Sequence, residues 1–305
     1  MQAPIKVPNK VLVLGATGNV GSPLVEELLR RGVPVRAAVR NIPDPAPARA
    51  GKGSQKAPIE YVKFDYFDAD TYEKAFEGVT ALYLLTPVVP SPQGLVQALV
   101  DAAKRAGIRK IVRQSAYGAD RNSTNVRLIR WHQDCEKVIE QSGIPYVILR
   151  PTGFFQNYLS YADDISRAGV FHLALGSDRS TYIDARDVAR VAAVTLIENG
   201  HEGRKYNLTG PQALSNEDIA DVLSLVTGDQ IKFVPISDEV ERRNLIEDGT
   251  PDWLAEGLVE MHRLWRAENS AQVLPTVREI TGQDASPFEK FARENIEKFR
   301  RREAA

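Results

Sequence analysis

Three glycines pose the first chemical question. In VLVLGATGNVGSPLVEELL they fall at Gly15, Gly18 and Gly21, between a run of apolar residues and an amphipathic helical pattern. This spacing suits the pyrophosphate of a dinucleotide. Gly15 permits a tight turn, Gly18 lets the backbone approach the anion, and Gly21 allows close packing of the helix. The start of that helix aims its unpaired N–H groups at the phosphates. Thr17, Asn19 and Val20 complete the loop and join the glycines as candidate cofactor contacts. The alternative is a tight turn with no ligand; the flanking strand and helix favour the cradle.

The second strand ends RAAVRN, with Arg40 where an NAD site usually carries an acidic residue for the ribose hydroxyls. A guanidinium there pairs with a 2′-phosphate and stacks on adenine, which selects NADP(H). The competing reading is a surface arginine among neighbours of the same sign, namely Arg36, Arg49, Lys52 and Lys56. Asp65, in YVKFDYFD after the third strand, is placed either to hydrogen-bond the adenine amino group or to cap the next turn.

Further motifs carry a resemblance. GATGNVG, Arg40, LLTP (84–87), RQSAYGAD (113–120), WHQDCEKVIEQSGIPYVILRPTGFFQNYL (131–159) and TVREITGQDASPFEKFARENIEKF (276–299) together span nearly the whole chain. In them the sequence resembles the atypical, NmrA-like branch of the short-chain dehydrogenase/reductase superfamily. That resemblance implies an NADPH-dependent reductase acting on quinones, triphenylmethane dyes, isoflavone-type compounds or other conjugated small molecules. It equally admits a regulator that senses NADP(H) through a protein partner with little turnover. It places Leu85, Thr86, Pro87, Pro151, Gly153 and Phe154 along the cofactor, with Phe155 and Tyr158 shaping a substrate pocket; the aromatics have core packing as their alternative.

The best-known members of the superfamily use a tyrosine with a lysine four residues later, the lysine easing proton delivery from the phenol. None of the ten tyrosines here has that partner; Tyr117 is followed by Arg121 and Tyr146 by Arg150. Isoflavone-type relatives use a lysine in this role, and WHQDCEKVIE sets His132 in its place, with Glu136 and Lys137 at the following basic positions. Leu128, His132, Cys135 and Ile139 share one helical stripe, so His132 faces inward. Glu136, one turn on, is positioned to orient the imidazole and favour its protonated form. His132, Ser115 at the end of the fifth strand and Tyr117 beyond it are therefore the candidate catalytic residues, with Ser115 and His132 also candidate contacts to the nicotinamide ribose. For His132 the alternative is a satisfied core histidine, and for Ser115 a loop cap. An aromatic pocket suits flat acceptors that delocalise the added charge, for which an elaborate acid is dispensable.

The elements that must hold these residues alternate. Short β-rich runs, most of them continuously apolar, predict strands at 10–14, 34–39, 59–64, 81–85, 110–114 and 145–149, and helical patterns fall at 22–31, 71–77, 94–105 and 126–142. This rhythm gives an α/β fold: a Rossmann-type, doubly wound parallel sheet. The domains are expected at 1–150, for NADP(H), and 151–305, a smaller and mainly helical substrate region, with a return to the sheet near 181–208. The Pro- and Gly-rich stretch 41–58 reads as a loop, and helices are predicted from the SNEDIADVLSLVTG segment, over 251–268 and over 287–300.

Composition bounds the rest. Lys plus Arg number 39 and Asp plus Glu 40, so no net field recruits nucleic acid or an acidic membrane. The single cysteine, Cys135, makes no disulfide framework, and four scattered histidines show no metal-ligand spacing. The N-terminal residues lack a signal-peptide pattern and no apolar run approaches the ~18 residues of a membrane span. A cytoplasmic protein with a small-molecule partner follows, as a monomer or homo-oligomer.

Overall fold

The computed structural model describes residues 8–43, 58–120, 125–176, 178–267 and 271–302. Its contacts divide the chain into two compact units, drawn from 1–119, 131–150 and 185–207, and from 120–130, 151–184 and 208–305.

The first unit is built on a sheet whose strands are β1 (Val11–Val13), β2 (Val35–Val39), β3 (Ile59–Lys63), β4 (Ala81–Leu84), β5 (Lys110–Gln114) and β6 (Tyr146–Pro151). β7 (Val170–Leu173) belongs elsewhere, and β8 (Arg204–Leu208) completes the sheet in the order β3-β2-β1-β4-β5-β6-β8. From β3 to β6 the neighbours are parallel. β1, β2 and β4 are buried along their whole length, which explains the unbroken apolar runs of β1 and β4 and, Arg36 apart, of β2. The crossover helices α1 (Gly21–Arg30), α2 (Tyr72–Phe76) and α3 (Gln93–Arg105) each turn an apolar stripe inward, α3 through Val96, Leu99, Val100, Ala102 and Ala103. This is a Rossmann-type doubly wound sheet. The order of strands reverses between β1 and β4, and at such a switch point the carboxyl ends open a ligand crevice.

Helix α4 (Arg127–Glu140) follows β5, then come α5 (Ala162–Ala168) and α6 (Ala185–Ile197), the last nearly all buried and packed beside α1. The second unit has its own core of Phe155, Tyr158, Phe171, Phe288, Phe291 and Phe299. Around it lie α7 (Asn216–Thr227), a short parallel pair of β7 with β9 (Lys232–Pro235), α8 (Asp238–Glu247), α9 (Asp252–Ala267), α10 (Thr276–Thr281), α11 (Phe288–Glu294) and α12 (Ile296–Phe299). The box that starts α7 is present: Asp218 N–H donates to Ser215 Oγ at 3.1 Å and Ser215 N–H to Asp218 Oδ2 at 2.8 Å. The helix predicted over 287–300 is instead two, broken at Asn295, which leaves helical geometry (φ −115°) and turns its amide onto the Phe291 carbonyl at 2.9 Å. Among the described residues no helix is long and apolar enough to cross a membrane.

Candidate functional site

At the carboxyl end of β1 the chain bends through Gly15, whose φ of 67° lies in the left-handed region that side chains disfavour. Gly18 N–H closes the bend on Gly15 O at 2.9 Å. A Cβ on Gly21 would stand 2.0 Å from Gly15 O, so only glycine lets α1 begin this close to β1. α1 has no side-chain cap at Val20 and no acidic residue in its first turn, while Thr17, Gly18 and Asn19 before it are exposed. The result is a bare, positively polarised helix start facing an open loop, which is what a phosphate requires.

The neighbouring strands complete this edge. Leu85, after β4, lies against Gly15, its Cδ2 2.9 Å from where a Cβ would be. The backbone there is fixed from beneath: Tyr66 donates to Leu85 O at 2.8 Å, and the buried Arg113 donates to Leu84 O at 3.3 Å and to Thr86 Oγ1 at 3.2 Å. Arg40 is exposed at the end of β2. Its neighbour Arg36 is engaged otherwise, with Nη1 on the carbonyls of Lys74, Ala75 and Glu77 and Nη2 3.0 Å from Glu60. Arg49, Lys52 and Lys56, with residues 44–57 of the predicted loop, lie outside the described residues. Asp65 fills the capping role, its Oδ1 accepting Phe67 N–H at 2.9 Å.

The candidate catalytic group is arranged differently from expectation. Glu136 does not serve His132. It is buried and bound by Arg150, Nε to Oε1 at 2.9 Å and Nη2 to Oε2 at 2.5 Å, and Ser115 donates its hydroxyl to Oε1 at 2.5 Å. With two donors already satisfied, its charge is not available to support an imidazolium. His132 has its Nδ1 buried with no hydrogen-bond partner among the described residues. Burial, with the Arg113 guanidinium beside it, holds the imidazole down to about 3, so the ring is neutral. Tyr117 is half-buried beyond β5. Sequence reasoning passed over the roles of Arg113 and Arg150, although a charged residue inside an apolar strand, IVRQ or YVILRP, signals a buried partner.

In the second unit, Pro151 is buried while Gly153 and Phe154 are half-buried, and the segment is held by backbone bonds from Thr152 N–H to Leu208 O at 3.0 Å and from Ile183 N–H to Gly153 O at 2.9 Å. Phe155 and Tyr158, read as substrate contacts, are core residues here. Phe155 meets Phe288 edge to face and lies tilted against Phe291, and the Tyr158 phenol donates to Asn216 Oδ1 at 2.9 Å. They sit inward because the 3-10 stretch Phe155–Tyr161 brings positions three apart onto one face.

Residues 8–297 match the NmrA-like family. The chain belongs to that family. It is 35% identical over 291 residues to an NAD(P)H azoreductase of Xenophilus azovorans, covering 95% of this chain and 99% of the relative. Among solved structures, the NADPH-dependent quinone oxidoreductase of Escherichia coli complexed with NADPH superposes with a TM-score of 0.79 at 29% identity, covering 93% of this NmrA-like chain and 99% of that one. The triphenylmethane reductase of a Citrobacter species, complexed with NADP(H), gives 0.78 at 25% identity over 94% and 99% of the two chains. The family, the fold and the reductase character of the relatives accord with what the motifs implied.

Proposed function

We propose that this NmrA-like protein is an NADPH-dependent oxidoreductase that passes hydride to a flat, conjugated small molecule of quinone, azo or dye type. The observation that carries the reading is the bare glycine bend, where a single Cβ on Gly21 would fall 2.0 Å from Gly15 O. Such close packing with an uncapped helix start fits a dinucleotide diphosphate. Reductases that share nearly the full length of the chain supply the reaction class.

In this reading Gly15 to Gly21 hold the diphosphate and Arg40 the 2′-phosphate. Leu85, Thr86 and Pro87 follow the cofactor along the sheet edge, and Pro151, Gly153 and Phe154 flank its nicotinamide. When bound, NADPH supplies the hydride. Ser115, whose hydrogen is already given to Glu136, offers lone pairs and receives a ribose or carboxamide donor. His132, neutral, contributes a hydrogen bond and no proton.

The test is incubation of the purified chain with NADPH and a panel of quinones, enones, imines and dyes, following nicotinamide absorbance. Rapid oxidation with at least one acceptor is the predicted result. Tight NADPH binding without turnover on any acceptor would make the chain an NADP(H) sensor acting through a protein partner.

A further inference from the structure

We propose that Arg113 gives the coenzyme site a preference for the reduced form: a buried guanidinium with no countercharge of its own disfavours the cationic nicotinamide of NADP⁺ against the neutral ring of NADPH. The inference rests on the coenzyme reading above and on residues of the first unit alone.

Four cations are buried among the described residues of this unit, and three of them meet a carboxylate. Arg36 lies 3.0 Å from Glu60, Lys110 2.7 Å from Glu202 and Arg150 2.5 Å from Glu136. Arg113, 1% exposed, makes no ion pair among the described residues. It donates to neutral acceptors, Leu84 O at 3.3 Å and Thr86 Oγ1 at 3.2 Å, and its Nε has no partner among those residues. The titratable side chains beside it are neutral too. His132 is held down to about 3 by burial and then by Arg113 itself, and burial raises the Cys135 thiol and the Tyr66 and Tyr83 phenols. Burial lowers the pKa of Arg113 as well, yet a guanidinium keeps its proton in proteins. Two neutral acceptors do not require a cation, because an amide would satisfy them without the cost of burying charge. What the guanidinium adds is a positive charge in a medium that screens it poorly.

That charge lies beneath the ligand edge. Arg113 is in β5, and its contacts are the last residue of β4 and the second residue after it, across the switch point from Arg40 on β2. An open sheet of this kind holds one mononucleotide on each side of the switch point. With the adenosine phosphate on Arg40, the nicotinamide half falls to β4 and β5. Leu85, between the two residues that Arg113 holds, lies against Gly15, so the same segment also walls the glycine bend.

Both coenzyme forms carry the same phosphates, which Arg113 attracts alike. They differ at the ring. Loss of hydride, two electrons with one proton, turns the neutral dihydronicotinamide into a cation while the acceptor is reduced by the same amount. Arg113 repels the cation and not the neutral ring, so the oxidised coenzyme is released and the reduced one retained.

The experiment is calorimetric titration of the full chain with NADPH, with NADP⁺ and with 2′,5′-ADP, which carries the adenosine half alone. The unaltered chain should bind NADPH more tightly than NADP⁺. Arg113→Met should shrink that ratio by about tenfold, the size of one like charge inside a protein, and Arg113→Lys should keep it within about threefold. Affinity for 2′,5′-ADP should be the same in all three proteins. A merely structural role would instead weaken every ligand together. If Arg113→Met does not fold, Arg113→Gln, which keeps a donor for Leu84 O and Thr86 Oγ1 without the charge, carries the same expectation. An unaltered chain with no preference for NADPH, a neutral variant that retains the preference, or an equal loss of all three ligands overturns the proposal and leaves the coenzyme reading standing. If none of the three ligands binds the unaltered chain, the coenzyme reading itself fails and takes the proposal with it.

Discussion

Ser115 gives its hydroxyl hydrogen to Glu136 at 2.5 Å, at the point where β5 ends. A serine fixed in this way can only accept a further hydrogen bond, so its place on the sheet edge favours holding a ligand over protonating one. Its geometry depends on Arg150, which binds both oxygens of the same carboxylate in a site shut off from water. Lys205 stands 3.8 Å from that carboxylate and adds positive charge on its outer side.

This buried pair predicts an asymmetric response to mutation. Glu136→Ala leaves Arg150 without its countercharge and should destabilise the protein by about 3–5 kcal/mol, whereas the double variant with Arg150→Ala should lose less than the sum of the two single changes. Urea unfolding of the four proteins measures the cycle. Additive losses would mean that the pair contributes nothing as a pair.

The glycine bend predicts a graded effect on cofactor binding. Gly21→Ala puts a methyl 2.0 Å from Gly15 O and forces α1 away from β1, while a methyl on Gly18 meets the same oxygen only at 3.3 Å. Calorimetry should show NADPH affinity reduced by more than about tenfold, roughly 1.4 kcal/mol, in Gly21→Ala, and by less in Gly18→Ala. The reverse order would show that the bend is not where the diphosphate lies.

Much of this was legible in the sequence. Strands β1 and β4 are read from unbroken apolar runs, and β2 and β5 from runs that Arg36 and Lys110, Arg113 and Gln114 interrupt, because both faces of each are largely buried; the cradle is read from glycines between such a run and a helix. β7 and β9 were not legible. VFHL and KFVP are four residues each, and β9 has no buried residue, so no periodicity marks it. α8 also escaped, since DEVERRNLIE buries one glutamate and offers no apolar stripe. At the site, spacing placed Glu136 one turn from His132 correctly, but the carboxylate turns to Arg150, fourteen residues away on β6. Sequence distance along a helix says which groups can meet, and a stronger cation on the adjacent strand decides which do.

Arg40 predicts the coenzyme. Its exposed guanidinium, distinct from the engaged Arg36, is the proposed partner of the 2′-phosphate. Arg40→Asp replaces attraction by repulsion and should weaken NADPH binding by about 10- to 100-fold, the worth of one or two charge-assisted hydrogen bonds, with NADH binding nearly unchanged. Equal loss for both coenzymes would remove the 2′-phosphate assignment.

The neutral His132 predicts a pH dependence whose sign follows from linkage. In the unfolded chain the ring titrates near its ordinary value of 6.5; in the fold, burial and Arg113 hold it down to about 3. Between those values the unfolded state binds the extra proton, so stability is complete above pH 6.5 and falls as the pH drops toward 3, by up to about 1.4 kcal/mol per pH unit. His201, also lowered by burial, adds a contribution of the same sign, so the comparison must be with a variant and not with zero slope. His132→Gln should unfold with a shallower dependence between pH 6.5 and 5, above the range where most carboxylates titrate. In the same window the His132 Cε1–H resonance should stay fixed; a ring titrating near 6.5 would mean that it is neither cut off from water nor exposed to the Arg113 charge, and would restore His132 as a candidate acid.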